Sequence, residues 1–314
     1  MNEDFMNTEM DDTKNQVEGL VKLLWSGIAV AGVLIAVGIV MLLTACHKDT
    51  DSTGTAAVKV SFNDFTISGE EFPTKDAVAA YNGVKAMTLA FFDANGTEVY
   101  NTTQLRADNT TYTTFGEFEL SLPLGSYTMV ALGYGSEVPI TLNSATEAVF
   151  TNDRCRETFV ASQAVNVAST SPLTLNAELS RVVSKVLVRS TDTRTAGVDS
   201  VRVTFAAGGK GVNPQTGLAS SNSGLSNCVA TTTAVGVASS TISYLFLNSD
   251  QQTMNVTVET IKTNGTVYST RTVENVPLQR NAITLLSGPL YTNASGANFT
   301  LSTSWIGDTN RVNF

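Results

Sequence analysis

The sequence predicts an all-β protein, and three observations lead to this prediction. Threonine, serine, valine and asparagine dominate the body of the chain, while only 15% of the 314 residues are charged, which favours strands and turns over exposed helices. Two Asn-Gly pairs separate runs of strand-forming residues, and no stretch of ten residues in the body is typical of a helix. With 42% hydrophobic residues, the chain is long enough for two domains with separate cores.

The strands of the first half are predicted in chain order from position 56. The run "AAVKVSF" at 56–62 is rich in strand-forming residues. In "FFDANGTEV", Asn95 and Gly96 are the pair that a type I′ hairpin turn requires, because both central positions need a positive φ. Two more strands flank a turn at Pro123 to Gly125. Near Asp76, "DAVAAYNG" is the one place where we expect a helical turn or two.

The second half is predicted to begin just before "ELSRVVSKVLV". The apolar residues in and before this stretch suffice for two strands with a change of direction, and Asn264-Gly265 later repeats the hairpin signal. We therefore predict two β-sandwich domains, at 58–176 and 177–314. The Ser-, Gly- and Asn-rich stretch 206–227 is predicted as a long surface loop, either a binding loop or a mobile loop without function.

The N-terminal region contains a long apolar run that ends on a cysteine. Residues 23–45 include only two polar residues, which is enough to cross a bilayer as a helix. The end of the run, Leu43-Thr44-Ala45-Cys46, resembles a bacterial lipobox, with small residues before the cysteine that receives diacylglycerol. We predict a signal peptide at 1–45, cleavage between Ala45 and Cys46, a lipid on Cys46 and a polar tether at 46–57. A permanent transmembrane helix is the alternative.

The start of the leader departs from the usual charge pattern of signal peptides. Signal peptides normally open with positive charge, whereas this chain opens with the acidic "MNEDFMNTEMDD" and has only Lys14 and Lys22 before the apolar run. We hypothesise that translation begins later, at Val21. Detection of Met1 at the N-terminus of the precursor would contradict this hypothesis.

The residue inventory excludes most catalytic chemistry. His47 is the only histidine, which removes Ser-His-Asp catalysis, Cys-His catalysis and imidazole metal ligation from the body. No phosphate-binding glycine loop follows a predicted strand. Glu117 and Glu119 lie two apart on a strand and so share a face, where we expect them to be solvated. We predict no enzyme activity, no cofactor and no metal.

Charge and cysteine content limit the partners further. The formal net charge of −9 gives no reason to expect nucleic acid as a partner. Besides Cys46, the chain has Cys155 and Cys228. If the body is exported, a disulfide between these two is permitted, and both the paired and the unpaired state stay open.

Several motifs together resemble a known family. A lipobox cysteine, "FFDANGTEV", "LPLGSYTMVALG", "ELSRVVSKVLV" and "VENVPLQRNAITLLSGPLYT" are similar to the fimbrillin and fimbrial-anchor lipoproteins of bacteroidal type V pili. The most specific of them is "VPLQRN", at 276–281. Asp49 and Asp51, just after Cys46, look like the surface-export signal of bacteroidal lipoproteins. Asp-Ser triplets at Asp51 and Asp199 fit the O-glycosylation pattern of the family.

The resemblance implies two transthyretin-like β-sandwiches and assembly by strand exchange, in which one subunit inserts a terminal strand into a groove of its neighbour. The strand predicted as the donor is "ANFTLSTSWIGDTNRVNF", at 297–314, with Phe299, Leu301 and Trp305 as pocket fillers. The alternative is that this segment is simply the last strand of its own domain. The partners implied are other fimbrial subunits and the outer membrane, through the lipid on Cys46.

The position of the arginines bears on the role within a fimbria. Stalk subunits of the family lose an N-terminal strand to an arginine-specific protease, and here no arginine occurs between Cys46 and Arg106. This difference favours a subunit at the base that keeps its lipid, displayed on the outer surface of the cell. The alternative function is a non-polymerising surface lipoprotein that binds glycan or host protein.

Overall fold

The computed structural model describes residues 54–66, 81–108, 110–152, 154–292 and 300–302, with the backbone alone at 63–66 and 300–302. Every regular element in these ranges is a β-strand, so the predicted all-β class is confirmed. None of the described residues belongs to a helix that could cross a membrane. The predicted leader, most of the tether and the predicted helical turn near Asp76 lie outside the described ranges.

The first part of the described chain contributes nine strands. They are β1 (Thr55–Thr66), β2 (Ala86–Asp93), β3 (Glu98–Leu105), β4 (Glu117–Pro123), β5 (Gly125–Tyr134), β6 (Ile140–Ser144), β7 (Glu147–Phe150), β8 (Thr158–Val167) and β9 (Leu173–Arg181). The chain then turns at Val182 and enters a second set of sheets.

The second part contributes ten strands within the described ranges. They are β10 (Val183–Thr193), β11 (Val198–Phe205), β12 (Gly211–Asn213), β13 (Leu218–Ala219), β14 (Leu225–Ala230), β15 (Ala238–Phe246), β16 (Gln251–Lys262), β17 (Val267–Gln279), β18 (Ile283–Gly288) and β19 (Thr300–Ser302).

The two parts share one strand connectivity. In the first, the order β3-β2-β5-β8 continues into β9-β1-β4; in the second, β14-β11-β16-β17 forms one sheet and β15-β10-β18-β19 another. The first strand of each part, β1 or β10, is antiparallel to one neighbour and parallel to the other, β9 or β18. Strand β19 is an addition to this shared pattern. The domain limits predicted at 58–176 and 177–314 stay a prediction.

The first core lies between the two layers of the first sheet. Alternate residues of β1 point into it and are buried: Ala56, Val58, Val60 and Phe62. Opposite them, β2 and β5 supply Met87, Leu89, Phe91 and Met129. This alternation is the pattern that a strand with one buried face requires.

A small fourth sheet joins the two parts. Its order is β13-β12-β7-β6, so the β6–β7 hairpin of the first part pairs with the β12–β13 hairpin of the second. It covers the outer face of β2 and β5, which explains why nearly all of β2 is buried on both faces. Phe150 stacks on Phe246 with ring centroids 6.3 Å apart and an interplanar angle of 10°. The second core is therefore continuous with the outer face of the first sheet.

This sheet corrects the prediction for residues 206–227. The stretch is not a long loop, because it contains β12, β13 and the start of β14. Its small residues allow close approach: a Cβ at Gly211 would lie 2.5 Å from Ser220 Oγ and 3.0 Å from the Val149 side chain. The glycine and serine content that suggested a loop instead serves tight packing between strands.

Both predicted hairpins are present, but the predicted turn type is wrong. β2–β3 and β16–β17 pair across Asn95-Gly96 and Asn264-Gly265. Only the glycines have positive φ, 79° at Gly96 and 83° at Gly265, whereas type I′ needs two such residues. Each loop has three residues instead of the two of a type I′ hairpin. In the first loop, the Asp93 N–H donates to the Thr97 carbonyl across these three residues. The glycine closes a three-residue loop of the kind that ends in a G1 bulge.

We expect Phe150→Ala to lower the free energy of unfolding by about 3–5 kcal/mol, because it leaves a cavity against Phe246 and Tyr134. Phe150→Leu keeps most of the volume and is expected to cost less than about 1.5 kcal/mol. Urea unfolding followed by circular dichroism measures both. A loss below about 1 kcal/mol for the alanine variant would contradict a shared core at this joint.

Candidate assembly site at the C-terminal edge

The last described strand lies at the edge of its sheet. β19 follows β18 in the order β15-β10-β18-β19, with Leu286 opposite Leu301, Leu285 opposite Ser302 and Ser287 opposite Thr300. Among the described residues no strand pairs with its other side. A three-residue strand on an edge offers unpaired backbone groups and little pairing of its own.

The chain is held firmly at residues 290–292, with seven residues between this segment and β19. The carboxylate of Asp192, at the end of β10, accepts three backbone hydrogen bonds: from Leu290 and Tyr291 at 2.8 Å, and from Thr292 at 2.6 Å. The Thr292 hydroxyl donates a fourth, at 2.8 Å. Hydrogen bonds to a carboxylate are about twice as strong as neutral ones, so this one side chain fixes the local path of the chain.

Neighbouring strands add further contacts to the same segment. Tyr291 is 3% exposed, and its hydroxyl lies 2.5 Å from Ser239 Oγ on β15. Ser269 on β17 donates to the Leu290 carbonyl at 2.5 Å, and the Arg271 guanidinium donates to the Thr292 carbonyl. The chain therefore leaves residue 292 from a fixed point, whatever path its continuation takes.

Asp192 was not predicted from the sequence. "STDTR" around it is an unremarkable polar stretch, and its partners lie about 100 positions further on. Only the tertiary pairing of β10 with β18 brings them together. The one available signal was the apolar "GPLYT" at 288–292, because a buried segment after a strand needs acceptors for its N–H groups.

A second open edge lies on β9. Its neighbour β8 pairs with it at two positions only, Phe159 with Arg181 and Val160 with Ser180, so residues 173–179 have no strand on that side within the described ranges. The apolar residues Leu173, Leu175 and Ala177 are only half-buried. A groove of about 280 Å³ opens where β8 and β9 diverge. The edge could therefore accept an added strand.

The first strand, by contrast, is enclosed. β1 pairs with β4 along Thr55 to Ser61 and with β9 along Val58 to Thr66. Removing it would expose the first core between β4 and β9, because its inward side chains are buried.

The remaining predicted site residues have varied outcomes. Ala45, Cys46, Phe299 and Trp305 lie outside the described residues, while the backbone of Leu301 lies in β19 as described above. The structure leaves Cys155 buried and Cys228 exposed, both as free thiols. The Asn227 side chain points inward and accepts from the Cys155 N–H at 3.3 Å, and Cys228, the next residue along β14, points to the opposite face. The permitted disulfide is therefore not formed in the structure.

Within the described residues, no group of three or more His, Cys, Asp or Glu could hold a metal ion. Burial raises the pKa of the Cys155 thiol far above its ordinary value, so that thiol stays protonated and unreactive.

One family model matches the sequence. It describes a family of unknown function, DUF6562, and covers residues 138–313, more than half of the chain. The protein belongs to this family. A search of curated proteins finds no match to the chain.

Solved structures provide a second comparison. The chain is similar to the fimbrial anchor protein Mfa2 from Porphyromonas gingivalis, with 12% identity, 81% of this chain and 99% of that one covered, and a TM-score of 0.48. For an adhesin candidate from Bacteroides ovatus, the identity is 10%, 80% of this chain and 95% of that one are covered, and the TM-score is 0.49. For the tip fimbrial protein Mfa3 from P. gingivalis, the identity is 11%, 79% of this chain and 98% of that one are covered, and the TM-score is 0.39. The solved structures to which the chain is similar thus include fimbrial proteins.

We expect Asp192→Ala to lower the free energy of unfolding by about 3 kcal/mol, because it leaves several N–H groups without an acceptor. Asp192→Asn keeps the shape with weaker acceptors, and we expect an intermediate loss. Asp108→Ala is the control, since Asp108 is exposed and, among the described residues, its carboxylate accepts hydrogen bonds from nearby Thr110 alone. Chemical denaturation gives the values. An Asp192→Ala variant as stable as Asp108→Ala would contradict the role of this carboxylate.

Proposed function

We propose that this chain is a structural subunit of a cell-surface fimbria, held to the outer membrane by a lipid on Cys46 and joined to other subunits by donor-strand exchange. One observation carries the proposal: the C-terminal strand lies on an open sheet edge, with seven residues between it and a segment that Asp192 and its neighbours fix in place. Such a strand gives up pairing with one described neighbour only, β18, when it leaves its own sheet.

The donor side is supported by the spacing of apolar residues. In an extended strand, residues two apart line one face, so Phe299, Leu301 and Trp305 would share a face. Backbone hydrogen bonds then give affinity, and pockets for alternate side chains give specificity. This is the recognition mode that an added strand uses in general.

The acceptor side is supported by the free edge of β9. Its half-buried Leu173, Leu175 and Ala177 are apolar positions whose burial a new strand would complete. Burying apolar surface contributes about 25 cal/mol per Å², in addition to the new backbone hydrogen bonds. The equivalent position beside β18, in the second part, already carries β19.

Lipid anchoring is supported by sequence alone. The Leu43-Thr44-Ala45-Cys46 motif ends the apolar run, and the first strand begins only nine positions later, at Thr55. Nine extended residues reach about 30 Å, so a lipid on Cys46 would hold the first sandwich close to the membrane surface.

A base or accessory position fits better than a stalk position. No arginine occurs between Cys46 and Arg106, so an arginine-specific protease has no cut that would release β1. The strand is also enclosed between β4 and β9. The subunit therefore keeps both its lipid and its first strand and acts without catalysis.

We expect an immunoblot of outer membranes in SDS to give a ladder that collapses on boiling, because strand-exchanged polymers resist detergent until heated. Leu301→Asp places a charge on the inserting face and should abolish the ladder. Ser302→Asp places it on the opposite face and should retain it. A single band for the unaltered protein would sink strand exchange and favour an independent surface lipoprotein that binds glycan or host protein.

We expect Cys46→Ser to abolish incorporation of labelled palmitate, because the acceptor thiol is gone. Cys228→Ser is the matched control and should retain the label. If the unaltered protein takes up no label and keeps the apolar run, that run acts as a permanent transmembrane helix.

A further inference from the structure

A basic pocket lies where the first part of the chain meets the second. Its volume is about 710 Å³, within the usual range of small-molecule sites. The segment that follows β7 forms one wall. The others are formed by β11, by Lys210 just before β12, and by β14 with the two residues before it. The lining residues are Asn152, Arg154, Arg156, Arg202, Lys210, Ser223, Gly224, Leu225, Ser226 and Cys228.

The charge of this pocket is opposite to that of the chain. Four of the 19 lysines and arginines line it, in a protein of formal net charge −9. None of the described residues lining it is acidic. The cleft between β3 and β4, by contrast, is lined by Asp108, Glu117 and Glu119. Concentrating positive charge in a concave, partly apolar site raises the local potential and attracts anions.

Two of the four cations have protein partners. Arg202 forms an ion pair with Glu259 at 3.1 Å, and the Lys210 ammonium donates to the Asn152 carbonyl at 3.2 Å. These contacts hold the two side chains in place at the pocket.

The other two cations, Arg154 and Arg156, have no carboxylate partner among the described residues. The Arg156 Nη1 atom is buried and has no hydrogen-bond acceptor. Burial lowers the pKa of both guanidinium groups, and the charge of Arg154 lowers that of Arg156 further. Both arginines are half-buried, but a buried guanidinium N–H without an acceptor is costly, and an anion that enters the pocket from outside the described residues would supply one.

We infer that this pocket binds the anionic group of an acidic sugar, a sulfate or a carboxylate. A guanidinium matches both groups with paired hydrogen bonds. The amide of Asn152 and the hydroxyls of Ser223 and Ser226 suit sugar hydroxyls, and Leu225 supplies an apolar floor. The inference does not depend on the fimbrial role or on strand exchange.

Calorimetric titration of the full chain in detergent tests this site. The probes are a sulfated disaccharide, a disaccharide containing glucuronic acid, an uncharged disaccharide and inorganic phosphate. We expect at least one charged disaccharide to bind at least tenfold more tightly than the uncharged one, and more weakly as salt is raised. The stronger of the two identifies the anion. Phosphate binding as tight as that of either charged disaccharide would overturn the sugar part of the inference.

Variants locate the binding. Arg154→Ala and Arg156→Ala should each weaken binding of the charged disaccharide at least tenfold, whereas Arg189→Ala, which removes an exposed cation on β10, should leave it unchanged. Asp153→Asn tests whether Asp153, which lies outside the described residues, competes with the ligand; unchanged or tighter binding supports the site, and a tenfold loss overturns it. Equal affinity for all variants also overturns it.

Cys228 provides a second readout that needs no substitution. Its exposed thiol lines the pocket, so saturating sugar should slow its alkylation by iodoacetamide severalfold, measured by mass spectrometry of the peptide that contains it. Buried Cys155 is the internal reference and should react slowly throughout. Alkylation of Cys228 at the same rate with and without sugar would overturn the location of the site.

Discussion

Each part of the described chain is closed by a parallel pairing between its first strand and a strand far along the sequence. Val58 pairs with Leu173, and Lys185 with Ile283. Neither sandwich is complete until its last strands have arrived, because β1 and β10 occupy central positions with neighbours on both sides. β19 adds to β18 at an edge, outside this shared pattern, and pairs with that one strand only among the described strands.

This constraint explains why Asp192 matters. It ends β10, the central strand of the second part, and binds the chain that follows β18, the parallel partner of that strand. The parallel pairing brings the two together, and the carboxylate then fixes where the C-terminal segment begins. The fourth sheet and the Phe150–Phe246 stack bridge the joint between the two parts, and the basic pocket lies on that joint with walls from both parts of the chain.

The sequence alone predicted the all-β fold class, both hairpins and the first strand. The alternation of apolar and polar residues and the Asn-Gly turns are local signals, so the sequence itself contains them. It could not predict the turn type, since one extra residue in each loop changes which positions take positive φ. It misread residues 206–227, where glycine and serine permit close strands as well as loops. Asp192 and the pair Arg154 and Arg156 gave no local signal, since their surroundings come from residues 50 to 100 positions away.

Amide hydrogen exchange of the isolated and the assembled protein tests the central claim most directly. In the monomer, residues 300–302 should exchange about a hundredfold faster than residues 283–288 of β18, because only an edge pairing protects them. In the assembled form, residues 300–302 and residues 173–179 of β9 should both become protected while β1 is unchanged. Protection of residues 300–302 equal to that of β18 in the monomer, with no change on assembly, would contradict a releasable terminal strand.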